Sequence, residues 1–141
     1  MMGGLNNSAR NVWALAQEEV KNFKQNVLGT EHILLGLMLE EESIAGKILR
    51  DKLDIDKVRE IIKNSTGMGD DLPEYITVSP RTKNIMELAR QFAAQLKMPY
   101  VGCEHILLGL IEEGEGIGAQ IIKSVVSLKD LKNEVLMAMQ G

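Results

Sequence analysis

The side chains with the clearest chemical potential lie in a short block that occurs twice: residues 29–37 read GTEHILLGL and residues 102–110 read GCEHILLGL. Each block places a carboxylate, Glu31 or Glu104, in the first turn of an expected helix. A carboxylate fixed there is a good partner for a guanidinium, because the two groups pair through parallel hydrogen bonds. The free N–H groups of the helix start can hold an anion beside it. Alternatively, each carboxylate only stabilises the positive end of its helix, by about 0.3–1 kcal/mol.

The histidines and the cysteine of the block raise the question of metal or nucleophile chemistry. A structural zinc site needs four ligands, whereas the chain has two His and one Cys, and Thr30 stands where the second copy has Cys103. The same threonine argues against a Cys–His nucleophile at Cys103 and His105. We expect no catalytic residue and no metal ligand, and we expect His32 and His105 to be partly buried and bonded to backbone. A small metal- or Cys/His-dependent enzyme remains the alternative from a different class.

Motifs of nucleotide and hydrolase chemistry are absent from the sequence. It contains no Gly-x-x-x-x-Gly-Lys-Ser/Thr phosphate loop, no Gly-x-Gly-x-x-Gly, no His-Glu-x-x-His and no Gly-x-Ser-x-Gly. We therefore expect this chain to be non-catalytic and to hold no cofactor of its own.

The block belongs to a longer internal repeat with an offset of 73 residues. The same register relates Asn11 to Asn84, Leu15 to Leu88, Glu40 to Glu113 and Ile48 to Ile121. We therefore predict one domain over 1–141, made of repeat one (about 5–66), a linker (67–77) and repeat two (about 78–140). Each half is too small to be comfortably stable alone, so the halves should pack on each other about a pseudo-twofold axis.

Each repeat is predicted to form four helices. The first follows Asn6 or Ser79-Pro80, and the second has Thr30 or Cys103 at its N-cap. The second helix is apolar almost all round and therefore belongs in the centre, where Gly36 and Gly109 would permit close helix approach. The third helices carry Ile44, Ile48 and Leu49 or Ile117, Ile121 and Ile122; the fourth follow Asp54 and the capping box Ser127-x-x-Asp130.

Composition favours the same all-α architecture. Aromatic residues make up 4% of a chain that is 45% hydrophobic, which is typical of helices rather than sheets. The alternation at 75–78 is too short to predict a sheet of any consequence. The net charge of −4 argues against nucleic-acid and membrane surfaces, and no apolar run reaches the roughly 20 residues of a membrane span. With a single cysteine, a reducing, cytoplasmic setting is expected.

The doubled block, together with the segments 14–19 and 113–117, resembles the Clp N-terminal repeat domain, in particular that of ClpC-type AAA+ unfoldases. The resemblance covers nearly the whole chain. It implies an all-α, pseudo-twofold pair of four-helix repeats, monomeric in isolation, that recruits substrates to ATPase rings. In that family ATP and magnesium are bound by modules absent from this chain, and unfolded substrates pass to the ClpP peptidase.

The resemblance also implies specific partners and residues. ClpC-like members bind MecA-type adaptors and proteins phosphorylated on arginine, and their two phosphoarginine sites use the motif glutamates, present here as Glu31 and Glu104. The neighbouring Thr30 and Cys103 would join these sites, Cys103 standing where Thr is usual. The basic residues expected near them are Arg10, Arg81 and Lys83.

The resemblance leaves three interpretations of the chain as a whole. We expect an excised N-terminal domain of a longer unfoldase. The alternatives are a free-standing accessory protein and the N-domain of a ClpB-like disaggregase.

Overall fold

Eight α-helices account for nearly all regular structure in residues 4–140, the part of the chain that this computed structural model describes. The first repeat contains α1 (Asn7–Asn22), α2 (Thr30–Leu39), α3 (Ile44–Lys52) and α4 (Ile55–Thr66). The second contains α5 (Pro80–Gln95), α6 (Cys103–Glu113), α7 (Ile117–Lys123) and α8 (Leu128–Gln140), and two short strands are β1 (Val27–Leu28) and β2 (Thr77–Val78). The prediction of an all-α duplication of a four-helix repeat is confirmed.

Four of the predicted helix starts are confirmed by their caps. Asn6 Oδ1 accepts a hydrogen bond from the Ala9 N–H at 2.9 Å, and Ser79 Oγ accepts one from the Thr82 N–H at 3.1 Å. Asp54 caps α4 through its carboxylate, and Ser127 Oγ accepts from the Asp130 N–H at the start of α8. These side chains satisfy N–H groups that a helix start leaves without a backbone partner.

The predicted N-caps Thr30 and Cys103 are wrong by one position. Gly29 and Gly102 are the N-caps of α2 and α6, and Thr30 and Cys103 are the first helical residues. Glycine at position 29 leaves room for the Glu31 carboxylate, which folds back over it and would have to move if a side chain were added there. With no side chain to cap the helix, the cap residue instead donates its backbone N–H to the histidine three residues later.

The alternation at 75–78 is short, but the expectation that it has no structural consequence is wrong. Its last two residues form β2, which connects the two repeats by pairing with β1. β1 pairs in parallel with β2, and the bridge between Leu5 and Val101 is the equivalent pairing at the other end of the repeat. In both cases the N-cap residue of the first helix of one repeat donates its N–H to the strand of the other: Ser79 to Leu28 O at 3.1 Å, and Asn6 to Val101 O at 2.9 Å. Each repeat thus donates one such bond to the other, and this reciprocal arrangement is what a pseudo-twofold axis requires.

The helices α2 and α6 occupy the centre, as predicted. Every residue of α2 except its last is buried, and α2 packs against α1 of its own repeat and α7 of the other. Glycine permits the approach: a Cβ at Gly36 would lie 2.5 Å from Val12 O, and one at Gly109 would lie 2.5 Å from Ile85 O. Within residues 4–140, no helix has the length and apolar character needed to cross a bilayer.

We predict that Gly36→Ala destabilises the protein by about 1–3 kcal/mol, although alanine is the better helix former. The added methyl would overlap the Val12 carbonyl, so the α1–α2 contact must open. The control is Ala14→Gly on the exposed side of α1, where losing alanine should cost about 0.5–1 kcal/mol through helix propensity alone. Denaturant unfolding of both variants measures the effect, and a Gly36→Ala variant as stable as the parent would contradict the close packing.

Candidate functional site

A cavity of about 750 Å³ opens where α2 and α5 begin. Since β1 and β2 run parallel, the helices that follow them start at the same edge and both direct their N-termini towards this cavity. Helix N-termini carry partial positive charge and free N–H groups, which favour an anion. Its lining includes Gln25, Val27, Thr30, Glu31, Ser79 and Arg81.

Glu31 contributes a buried carboxylate to this cavity. The residue is 7% exposed, and its carboxylate accepts a hydrogen bond from its own backbone N–H. Burial raises its pKa, because removing the carboxylate from water disfavours its charged form. Within residues 4–140 no cationic side chain forms an ion pair with Glu31. A cationic group entering the cavity would therefore meet a carboxylate that still lacks a cationic partner.

Arg81 contributes a guanidinium at the rim. Its Nη1 lies 2.6 Å from Glu113 Oε2 and 3.6 Å from Glu115 Oε2, while its side chain stays 53% exposed. The pKa of Glu113 is lowered: burial alone would raise it, but hydrogen bonds from the Gly116 N–H and from Arg81 outweigh that effect. The Glu113 carboxylate that holds Arg81 therefore stays ionised. Both ion pairs use Nη1, and a guanidinium carries five N–H donors, so donors remain for an incoming anion.

Thr30 connects the cavity to the opposite repeat. The residue is buried, and its Oγ1 accepts a hydrogen bond from the Gly118 N–H at 3.0 Å. Glycine at 116 allows this contact, because a Cβ there would lie 2.5 Å from Thr30 Oγ1. The threonine therefore fixes the start of α2 against α7 while also lining the cavity.

His32 holds one wall of the cavity rigid. Its Nδ1 accepts a hydrogen bond from the Gly29 N–H at 2.9 Å, which confirms the expected bond to backbone. The proton must then sit on Nε2, which donates to Gln25 Oε1 at 2.8 Å. Gln25 in turn donates to Thr66 Oγ1 and Gly67 O, both at 2.8 Å. Burial lowers the pKa of His32 to about 4, partly offset by the nearby Glu19 carboxylate, so the ring is neutral near neutral pH.

The second copy of the block is not equivalent to the first. Ser8 occupies the position that corresponds to Arg81, and the Glu104 carboxylate accepts a long hydrogen bond of 3.4 Å from the Ala45 N–H. Cys103 is fully buried, and burial raises its pKa to about 11. His105 Nδ1 accepts from the Gly102 N–H as in the first copy, but its Nε2 has no partner among the described residues, because methionine replaces Gln25.

The remaining candidates lie away from the cavity. Arg10 is exposed and donates to Asn7 Oδ1 at 3.1 Å, and Lys83 is exposed on α5; neither lines the cavity. Sequence reasoning missed the parts played by Gln25 and Glu113, which orient His32 and Arg81. Only the repeat register hinted at Glu113, through its match to Glu40. Within residues 4–140, no three His, Cys, Asp or Glu side chains form a group that could hold a metal ion.

We predict that His32 makes folding stability fall with acidity between pH 6.5 and pH 4. Its pKa drops from 6.5 to about 4 on folding, so in this window the unfolded chain binds more protons and acid favours unfolding. The loss between pH 7 and pH 5 should be about 2 kcal/mol from this residue. His32→Gln removes the titrating ring, so its unfolding free energy should depend less on pH by that amount; equal pH dependence of the two proteins would contradict the assignment.

The chain shares extended similarity with curated chaperones. It is 43% identical over 138 residues to the chaperone protein ClpB of Oceanobacillus iheyensis, covering 96% of this chain and 17% of that protein. It has the same identity and the same coverage with the negative regulator of genetic competence ClpC/MecB of Bacillus subtilis. The chain thus spans about a sixth of the length of these curated relatives.

The fold also matches a solved structure. The N-terminal domain of the caseinolytic protease associated chaperone ClpD from Arabidopsis thaliana superposes with a TM-score of 0.82 at 22% identity, covering 100% of this chain and 97% of that one. The family described as the Clp repeat (R) N-terminal domain matches residues 4–125. This match includes both copies of the block and the cavity between the repeats, and the chain belongs to the Clp repeat (R) N-terminal domain family.

Proposed function

We propose that this chain is a non-catalytic recruitment module of a ClpC-like ATP-dependent unfoldase, and that its cavity binds phosphorylated arginine side chains of proteins to be unfolded. The observation that carries the proposal is that groups of opposite charge line one cavity: the buried Glu31 carboxylate and the Arg81 guanidinium at the rim. Phosphoarginine is itself two-signed, with a guanidinium group bearing an anionic phosphoryl group.

Each part of the ligand has a partner of matching chemistry. The ligand's guanidinium N–H groups would donate to Glu31, in the bidentate geometry that carboxylates favour. Its phosphoryl oxygens would accept from the Arg81 side chain and from those backbone N–H groups that the caps of α2 and α5 leave without a partner. Phosphoserine lacks the guanidinium and unmodified arginine lacks the phosphoryl group, so each satisfies only half of the site.

The second copy would bind more weakly. Glu104 offers the carboxylate beside Cys103, but Ser8 replaces the arginine that would hold the phosphoryl group. Two unequal sites on one domain would still raise the affinity for chains tagged more than once, because the second contact becomes intramolecular.

A Cys/His enzyme is disfavoured by the state of the thiol. The pKa of Cys103 is raised to about 11 by burial, so the group is a protonated thiol near neutral pH. The thiolate is the reactive form of cysteine, and Cys103 is fully buried.

The wider role concerns a protein longer than this chain. Adaptors of the MecA type would bind this domain, and ATP and magnesium would act in ATPase modules that pass the unfolded substrate to a ClpP peptidase in the cytoplasm. The equal identity to a ClpB favours one second candidate, the N-domain of a disaggregase. That protein would bind neither phosphoarginine nor a MecA-type adaptor.

We predict that calorimetric titration with phosphoarginine shows saturable binding that Glu31→Gln weakens by about 10–100-fold. The substitution keeps the side-chain shape but removes the charge that pairs with the guanidinium, and a hydrogen bond to a charged group contributes about 1.5–3 kcal/mol. Glu104→Gln should affect only the weaker site. An unaltered protein that does not bind phosphoarginine would remove the ClpC-like assignment.

We further predict that Arg81→Ala abolishes the preference for phosphoarginine over arginine. Arg81 is the cationic side chain of the cavity, so its loss should reduce phosphoarginine affinity about tenfold or more while changing arginine affinity little. Lys83→Ala is the matched control, because Lys83 lies on the same helix, is exposed and does not line the cavity. Equal losses in the two variants would show that the effect is net charge and not a specific contact.

A further inference from the structure

One backbone edge of β1 is unpaired beside the proposed phosphoarginine site. The pairing with β2 uses Asn26 O, which accepts from the Thr77 N–H at 2.9 Å, and Leu28 O, which accepts from the Ser79 N–H at 3.1 Å. Backbone groups of successive residues in a strand point to opposite edges, so the N–H and C=O of Val27 point away from β2. Neither group has a backbone or side-chain partner within residues 4–140.

Val27 lies at the cavity and is accessible. The residue is 42% exposed, and it lines the same cavity as Glu31 and Arg81. An edge strand with unpaired N–H and C=O groups is a template for another extended segment. The edge is also held in place, because the preceding Gln25 bonds to His32, Thr66 and Gly67.

The cavity offers more room than one side chain requires. Its volume of about 750 Å³ is in the range of pockets that enclose a whole small ligand, about 300–1,000 Å³. Its lining continues from the charged pair past Val27 to Thr66. Residues adjacent to a bound phosphoarginine would therefore lie beside the free edge of β1.

We propose that the edge of β1 at Val27 binds the backbone of the segment carrying the phosphoarginine, as an added strand. This inference rests on the proposed phosphoarginine site. The tagged side chain enters between Glu31 and Arg81, and a neighbouring residue of the segment donates its N–H to Val27 O and accepts from the Val27 N–H. This is the strand-addition mode of peptide recognition, in which backbone bonds add affinity and side-chain pockets add specificity.

The pairing selects the conformation of the substrate as well as its tag. Only a locally extended segment presents a free N–H and C=O to an edge; a helix uses these groups internally. The site would therefore favour phosphoarginine in unfolded or extended segments over the same residue in a helix. The charges support this partner over a second copy of the chain, because Glu31 and Arg81 beside the edge match the two-signed tag.

The first experiment compares free phosphoarginine with a short unstructured peptide carrying one central phosphoarginine, by calorimetry on the unaltered chain. The peptide should bind about tenfold more tightly or better, since it adds backbone hydrogen bonds. A set of the same peptides, each with one backbone N-methyl group, should show a loss of about tenfold at a single position and little change at the residues on either side.

Protein variants test the same contact from the other side. Val27→Pro removes the N–H that points away from β2 and leaves the bonds to β2, while Val27→Thr keeps the N–H and is the matched control. We expect Val27→Pro to weaken peptide binding about tenfold more than it weakens binding of free phosphoarginine, and the binding of free phosphoarginine that remains shows that the variant folds. Val27→Thr should behave as the parent.

The outcomes separate the two proposals. If free phosphoarginine binds but the peptide binds no more tightly and the N-methyl scan is flat, strand addition is overturned and the phosphoarginine site stands. If free phosphoarginine does not bind, the site is overturned and this inference with it. A dimer formed by the chain, abolished by Val27→Pro and unaffected by the peptide, would assign the edge to a second copy and also overturn the inference.

Discussion

A helix that is apolar almost all round has to be covered on nearly every side, and the rest of this structure follows from covering α2 and α6. Nine of the ten residues of α2 are buried, from Thr30 to Met38. One repeat cannot enclose such a helix, so α2 is packed by α1 from its own half and by α7 from the other. The glycines at 36 and 109 bring the first helix of each repeat close enough to complete the cover.

The same constraint creates the cavity. Where the central helices are buried between the halves, the segment before each central helix pairs with the segment before the first helix of the other repeat. Parallel pairing brings two helix N-termini to one edge, and it draws Arg81 of the second repeat towards Glu31 of the first. The site is therefore a product of the interface and belongs to neither repeat alone. Its positive helix ends and its buried carboxylate suit a ligand that carries both signs of charge.

Because the repeat is duplicated, the block and its helix start occur twice, and the surroundings of the two copies differ. The cap glycines and the histidine bonds to backbone recur in both copies, because they hold the helix start. The residues around the block differ between the copies: Arg81, which lines the cavity, corresponds to Ser8, and Gln25, which bonds to His32, corresponds to Met98. Among the described residues, Nε2 of His105 has no hydrogen-bond partner, whereas Nε2 of His32 bonds to Gln25. The two copies thus share the residues that hold the helix start and differ in polar residues beside it.

The sequence by itself determined the eight helices, their caps at Asn6, Ser79 and Asp54, the central place of the repeated block and its candidate carboxylates. These follow from local periodicity and from capping chemistry, which involve residues a few positions apart. The predicted cap of the block is wrong by one residue, because a backbone bond from the cap glycine to the histidine three residues later takes the place of a side-chain cap. Only the tertiary structure decided that Arg81 lines the cavity, that Arg10 and Lys83 do not, and that a two-residue strand joins the repeats. Those outcomes depend on which parts of the other repeat pack against each helix start. This packing is set by contacts between residues more than fifty positions apart in the chain, such as the hydrogen bond from Thr82 Oγ1 to Leu28 O.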